Sequence, residues 1–460
     1  MRANYLVAAA AAIACVGLAF GVPAFFGARA ERIYRDNIHQ LGASGTAIRL
    51  DYYQRGWLSS RATLSFPTDS LGKRRLMLVQ HIHHGPLGFY NGWNVAFPVA
   101  AVIDTQPPAG LEDTLNRFLG NAPLVISTIV RMDGALDTYI SRAPTHQTVF
   151  GTTVTFDGLA AEIRLAQNSY RISGMLPRIV ASGVFGEAEI ASVSLRGEAH
   201  PDSTGLWPGA GALGIGRIGY SVIGHGEHGS ASGLAQDVTI SCVSLLNDGK
   251  IALHDGISIG SLSARALHLG PASVTAEING VPAAPIVQFR RDAVSIAGSS
   301  VDRQAQQRLM RQKMVDVFVA IVQQSPIATL ELRVASPNGT ADGHGQLEIA
   351  TAIASDPAVN ADILSKDAFN RLARKYVSFS AEFTAPTALL AQLANADQLQ
   401  GLERAGALVH DGDKYLLHAS YKDGQMLVNG RKFEPPQPQP CQRRSAGQTA
   451  CAGSAAHKTN

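Results

Sequence analysis

The sequence predicts a mainly β protein with some α: an N-terminal transmembrane helix, then large curved antiparallel sheets, then a few C-terminal helices. Three observations carry this. The chain opens on an unbroken apolar run. From about Ile48, short runs of alternating apolar and polar residues recur at roughly 8–12-residue spacing, broken by Gly, Pro, Asn and Asp. Helical periodicity concentrates after residue 300.

The apolar run is YLVAAAAAIACVGLAFGVPAFF, residues 5–26, without a charged residue. About 20 apolar residues at 1.5 Å rise match the hydrocarbon thickness of a bilayer. Two readings compete. The length favours an uncleaved signal anchor, because signal-peptide cores run to only ~7–15 residues. The small-x-small triplet Ala28-Arg29-Ala30 favours cleavage after Ala30. A buried soluble helix fits poorly, since the first residues have no polar face. Arg2 precedes the span, and Arg29, Arg32 and Arg35 follow it, so the positive-inside rule taken alone would keep the bulk cytoplasmic. Lipid modification of Cys15 would call for Leu near Ala12.

Residues 1–28 are thus read as the anchor, and AERIYRDNIHQLG within 29–47 as a helical stalk. Residues 48–300 form the β-rich body. Period-two alternation shows in ATLSF, TVTF, AEIRLAQ, EIASVSLRGEA, ISIGSLSARALHLG and SVTAEI. The glycine-rich stretch from Gly205 to Gly233 reads as long loops or a poorly ordered insert. Residues 301–434 are the helix-containing part. Leu309, Met310, Met314, Val317, Phe318, Ile321 and Val322 recur at three- and four-residue steps, the stripe of a helix burying one face. Asp356 is an expected N-cap with Pro357 at the first helical position. A further helix is expected over APTALLAQLANADQLQGLERAGAL. DKYLLHASYKDGQMLVNGRKF then closes as a hairpin turning at Lys422-Asp423-Gly424. The Pro-, Gln- and Ala-rich residues 435–460 read as a disordered tail. No tandem repeat of fixed short period is visible.

Hydrophobic residues make up 46 % of the chain and charged ones 16 %, against about 25 % charged in an average protein, so bulk disorder is excluded. The net charge of +3, with no basic stripe interleaved with aromatics, argues against nucleic acid as a partner. Cys242 lies in the alternating VTISCVSLL and reads as a buried free thiol. Cys441 and Cys451, ten residues apart in the tail, are a disulfide candidate suited to an oxidising compartment. Without a CxxC pair, a cysteine zinc site has no support.

Several motifs are weighed against their plain readings. Gly209, Gly211 and Gly214 match GxGxxG, but Pro208 precedes them and no strand leads in, so a loop is the reading. Gly256-Ile-Ser258-Ile-Gly260 matches the nucleophile elbow GxSxG. It continues as alternating strand instead of turning into a helix, which makes Ser258 a polar-face residue. His225, Glu227 and His228 sit on a glycine loop that does not preorganise a metal. QHIHHGPLGF is the sharpest case. On a strand, His81 and His83 share one face and His84 takes the other. Two imidazoles could hold zinc or copper if a third ligand came from elsewhere. The structural reading is favoured: Gly85-Pro86 ends a strand, and no carboxylate or cysteine lies nearby in sequence.

YYQRGWLSSRATLSF followed by HHGPL resembles the opening of the YdgA-like family, domain of unknown function 945, of Gram-negative inner-membrane proteins. The matching residues are Tyr53, Arg55, Gly56, Ser59 and Ser60, then Ile82, His84, Gly85 and Pro86. The closing hairpin, with Asn429 and Gly430, is also similar. The middle is loose and the tail is extra. The resemblance implies a single-pass inner-membrane protein with its bulk in the periplasm, and it assigns His84 to a family turn without established chemistry. No cofactor is implied. The expectation is a non-enzymatic envelope protein, binding or structural, whose concave sheet face could shield a lipid-like ligand. The alternatives are a metal-binding protein or metal-dependent hydrolase using His81 and His83, and an envelope assembly partner.

Overall fold

The computed structural model describes residues 25–39, 48–67, 75–85, 88–90, 94–96, 98–166, 168–223, 230–264, 267–297, 302–356, 359 and 366–433. Residues 25–39 form helix α1. Strands β1 (Arg49–Arg55), β2 (Ser59–Pro67), β3 (Arg75–His84), β4 (Gly88–Tyr90), β5 (Asn94–Ala96) and β6 (Val99–Gln106) precede helix α2 (Ala109–Leu119). Next come β7 (Leu124–Arg131), β8 (Leu136–Arg142), β9 (Thr145–Val149), β10 (Thr152–Phe156) and β11 (Leu159–Ala166). The longest strands follow: β12 (Ser169–Gly183), β13 (Gly186–Ala199), β14 (Gly209–Val222) and β15 (Ala231–Asn247). They lead through β16 (Lys250–Ile259), β17 (Ser261–Ala264), β18 (Leu267–Leu269) and β19 (Ala272–Pro282) to helices α3 (Ala283–Ala297) and α4 (Arg303–Val322). After β20 (Ile327–Ser336) and β21 (Gly339–Ile349) come helix α5 (Lys366–Tyr376), β22 (Val377–Pro386), and helices α6 (Thr387–Leu393) and α7 (Ala396–Arg404). The chain closes with β23 (Val409–Asp411), β24 (Lys414–Lys422), β25 (Gln425–Val428) and β26 (Arg431–Lys432).

The expected β-rich architecture is present as one 24-stranded antiparallel sheet, with β4–β5 a separate hairpin. Pairing nearly follows chain order, because most neighbours are joined by short turns. Several turns have two residues at positive φ, among them Asp248-Gly249, Asp423-Gly424 and Asn429-Gly430, the geometry that matches the twist of a hairpin. The turn expected at Asp423-Gly424 is one of these.

Alternation sorts the strands into an apolar and a polar face. At the first strands, α1 covers the apolar face: Ala30, Ile33 and Tyr34 pack on Ala62, Leu64, Ile82, Ala101, Ile103 and Val130. At the last strands, helices cover both ends of the same face. Val315 and Val322 of α4 meet Ile353 and Leu372 at one end, while Leu389 of α6 packs on Ala341 and Ala385 at the other. Between these lids the apolar face stays open.

One row crosses the long strands and resets the pleat. Pro177, Ser192, Gly216 and Asp237 stand level on β12 to β15, and Ser192 and Asp237 have φ of 56° and 53°. In each of these strands the apolar positions step by three there instead of two: Leu176 to Ile179, Ile190 to Val193, Ile215 to Ile218, Ala235 to Val238. The apolar set nevertheless stays on one face. Arg142 on the near side and Thr145 on the far side both donate to the C-terminal end of α2, at the carbonyls of Gly120 and Leu119. Leu269, beyond the row, packs in the same cluster as Val334 and Phe383, before it. On the polar face, Arg178 and Arg217 each donate at 2.7 Å to Glu189, whose carboxyl they hold below its usual range.

Three sequence expectations are corrected. Gly205–Gly233 is not a loop region: Gly209–Val222 is a strand laddered on both edges, and those ladders outweigh the weak strand preference of glycine. The GxGxxG match therefore lies in β14. The N-cap expected at Asp356 involves Pro357, which lies outside the described residues. Asp356 itself follows a 3-10 turn (Thr351–Ser355), and its carboxylate is engaged by Tyr376 and Lys375 at the end of α5. The helix expected over 385–408 is two, because Asn395 caps α7 with a capping box to Gln398. Cys242 is exposed, on the uncovered apolar face. Ser258, as expected, continues a strand on the polar face.

Among the described residues no helix is long and apolar enough to cross a membrane. The expected transmembrane segment falls almost wholly outside them, as do Pro86, the His225-Glu227-His228 loop, Cys441 and Cys451.

Candidate functional site

The residues of the opening motif converge under α1. Burial at the end of β3 places His84 at 8 % exposure and Ser60 of β2 at 5 %. Nδ1 of His84 lies 3.2 Å from the Trp57 carbonyl and Nε2 lies 2.8 Å from Oγ of Ser60. A carbonyl only accepts, so Nδ1 carries the proton and the Ser60 hydroxyl donates to Nε2. Burial pushes the imidazole below its usual value, against the opposing pull of the Trp57 carbonyl. The ring is roofed by Gly27, where a Cβ would stand 2.7 Å from Nδ1.

This is the hydrogen-bond order of a serine nucleophile with its base, but here it is sealed. Neither group faces open space, and the helix above leaves no room for a substrate.

The remaining motif residues complete a clasp between helix and sheet. Tyr34 donates to Gln80 at 2.5 Å, and Gln80 donates to Thr105 at 2.9 Å. Burial raises both tyrosine hydroxyls, Tyr34 strongly, and Tyr53 against the lowering effect of Ser60. The Tyr53 ring lies 5.6 Å from Tyr34, with the Arg35 guanidinium 5.0 Å from its centre. Arg55 pairs with Glu31 of α1 at 3.6 Å. Gly56 donates its N–H to the Ser59 carbonyl at 2.9 Å, and Gly85 donates to Ala100 at 2.8 Å. A Cβ at Gly85 would fall 1.8 Å from the Val99 carbonyl oxygen, so only glycine fits.

At the far edge of the sheet, Asn429 (φ 50°) makes the turn with Gly430. Its side chain accepts from the His418 N–H and donates to the carbonyls of Gly406 and Ala407, tying the hairpin to the end of α7.

His81 and His83 share the polar face opposite His84, as their spacing requires. Sequence proximity missed Asp104, which β6 brings 3.4 Å from Nε2 of His83. Among the described residues no group of three or more His, Cys, Asp or Glu side chains could hold a metal ion.

The largest uncommitted feature is the open apolar face. Strand register aligns one row across thirteen strands: Ile126, Ile140, Ala161, Gly174, Leu195, Leu213 and Ile240, then Ile257, Val274, Leu332, Gly343, Phe383 and Leu417. Every residue in it is apolar. The parallel row from Ile163 to Val428 breaks this only at Cys242 and Asp255, and Asp255 pushes the neighbouring thiol up. A matching row on the polar face reads Glu162, Ser173, Arg196, Ala212, Ser241, Gly256, Thr275, Glu331, His344 and Glu382. Much of the apolar row still meets solvent: Leu195 is 37 %, Ile240 44 % and Ile257 49 % exposed. Apolar surface this continuous is unusual on a soluble protein and marks a surface that something else covers.

Comparison with known proteins agrees with the resemblance of the opening and closing motifs. The family described as bacterial protein of unknown function (DUF945) matches over residues 4–436. No curated protein and no solved structure is detectably similar. With nearly its whole length matched, from the apolar leader through the clasp and the sheet to the closing hairpin, the chain belongs to the DUF945 family.

Proposed function

We propose that this is a non-enzymatic protein of the bacterial envelope that shields lipid-like, apolar chains along the open face of its sheet. The thirteen-strand apolar row carries the reading. Adjacent strands stand about 4.8 Å apart, so the row extends for about 58 Å, far beyond what a polar small molecule would use. Each methylene taken from water onto such a surface contributes about 0.8 kcal/mol, so long chains are the ligands that gain most.

The leader supports the location. Residues 5–26 have the length and composition of an inner-membrane anchor, and α1 begins within that run. In this reading the clasp around His84 holds the anchor against the first strands, so that the face opens close to the bilayer with the bulk in the periplasm. The motif residues then serve geometry instead of chemistry. The sealed Ser60–His84 pair and the two-ligand grouping at His83 and Asp104 favour this over a hydrolase.

The test uses the full chain, purified in a non-lipid detergent and exchanged into nanodiscs of a single synthetic lipid. Native lipids co-purifying before exchange, and saturable uptake of a fluorescent fatty acid afterwards, are expected. Absence of both overturns the proposal. Protection of the body from externally added protease in spheroplasts would overturn the periplasmic placement separately.

A further inference from the structure

The apolar face is not equally open everywhere. Over β19 to β22 it narrows to a slot with helical walls on both sides. On β21 the wall of α6 stands on Ala341, and the wall formed by α4, α5 and the 3-10 turn stands near Ile349. Those positions are eight residues apart, about 27 Å along an extended strand, and the helices themselves take up part of that width.

The floor between the walls is deepened by missing side chains. Gly343 and Gly345 both point their vacant positions onto this face. A Cβ at Gly345 would be 3.8 Å from that of Leu330, and one at Gly343 would be 3.4 Å from the Leu332 Cβ and from Cδ2 of the Phe383 ring. Ile278, Leu330, Leu347, Phe379 and Phe383 complete a cavity of about 480 Å³. That lies within the roughly 300–1,000 Å³ of ligand sites. The charged residues along its rim, Glu277 and Glu382, belong to the opposite face by alternation.

We infer that this slot seats one unbranched acyl chain lying across the strands, its head group outside. This rests on the lipid-shielding reading and localises it. Ridges on both sides exclude a flat protein surface. A floor without charge excludes a polar ligand, and a slot crossing four strands suits an extended flexible chain better than a globular one.

The glycines give a clean test, because neither has positive φ and a side chain at Gly345 meets only ordinary contacts. Gly345→Val fills the slot. Gly211→Val lies on the same cross-strand row but outside the slot, where its Cβ would be 3.7 Å from the Arg196 carbonyl oxygen. Binding of a polyene fatty acid, whose fluorescence rises in apolar surroundings, is titrated on the full-length wild type and both variants, with thermal unfolding to confirm folding. The slot requires a tenfold or greater loss of affinity for Gly345→Val and less than a twofold loss for Gly211→Val. Equal losses, or none, would overturn the slot while leaving the face as a lipid surface. No binding by the wild type would overturn the lipid reading itself. A wild-type dimer that Gly345→Val converts to monomer, seen by sedimentation, would put a second copy in the slot and also overturn the inference.

Discussion

Replacing Leu330 and Leu347 together by Ser should weaken acyl-chain binding by about ten- to a hundredfold. The two lie on the paired strands β20 and β21 in the slot floor, 49 % and 39 % exposed, so together they leave about one leucine side chain facing water. Full burial of such a side chain contributes about 1.5–3 kcal/mol, and 1.4 kcal/mol is about tenfold in affinity. A chain laid in the slot covers that remaining surface, and serine forfeits it. The half already covered by neighbours is lost to folding too, so thermal unfolding must show that the variant is still folded at the assay temperature. Glu331→Gln with Glu348→Gln, on the opposite face of the same strands, is the matched control and should leave binding unchanged. The assay is titration of a fluorescent fatty acid. A loss below threefold in the leucine variant, or an equal loss in the control, would refute the assignment of the ligand to this part of the face.

Three further outcomes follow from the clasp and the floor. Gly27→Val places a Cβ 2.7 Å from the buried His84 ring, an overpacking worth about 1–3 kcal/mol, and should lower the unfolding temperature and open the segment after α1 to protease; an unchanged profile would deny the contact. The His84 imidazole is held below its usual value of about 6.5 in the folded protein, so the unfolded chain takes up the proton first as pH falls. Stability should therefore be full above that value and drop as pH falls from there towards the depressed one, and His84→Gln should remove that part of the slope; identical slopes would count against the assignment. Asp255 raises the Cys242 thiol, so maleimide labelling should be slow at neutral pH and faster for Asp255→Asn, while fatty acid seated in the slot should leave the rate unchanged. Labelling at Cys242, read by peptide mass spectrometry and slowed by fatty acid, would place the ligand over β15 instead of in the slot.

Much of the architecture could be read before any coordinates. Runs such as AEIRLAQ and SVTAEI alternate cleanly because one side of each strand faces polar surroundings, and Lys422-Asp423-Gly424 carries turn chemistry that needs no tertiary help. The failures have physical causes. Between Gly205 and Gly233 the glycines mimic a loop, yet Gly209 and Gly211 lie in a ladder supplied by β13 and β15, information that no local window contains. Cys242 looked buried because alternation identifies a face without saying whether anything covers it. The pairing of Ser60 with His84 spans 24 residues and depends on β2–β3 register, so the motif was visible but its partner geometry was not. The apolar row was the least legible feature, since it exists only when a dozen registers are known at once.

The reset at Pro177, Ser192, Gly216 and Asp237 bears on whether the open face is incidental. In a strand of period two, a slip of one residue turns every later side chain to the other face. A slip in a single strand would therefore scatter apolar residues among Arg178, Glu189 and Arg217. Instead, four successive strands slip at the same level, and Ser192 and Asp237 hold left-handed backbone, an unfavourable conformation for non-glycine residues, to make it happen. The result keeps Ile179, Ile190 and Ile218 aligned on the side of Leu195 and Ile240. Core packing does not explain the expense, because Ile190 and Ile218 are themselves open to solvent. A face maintained across a fault in the sheet, and then left uncovered by the other described residues, is the arrangement expected where the missing cover is a ligand.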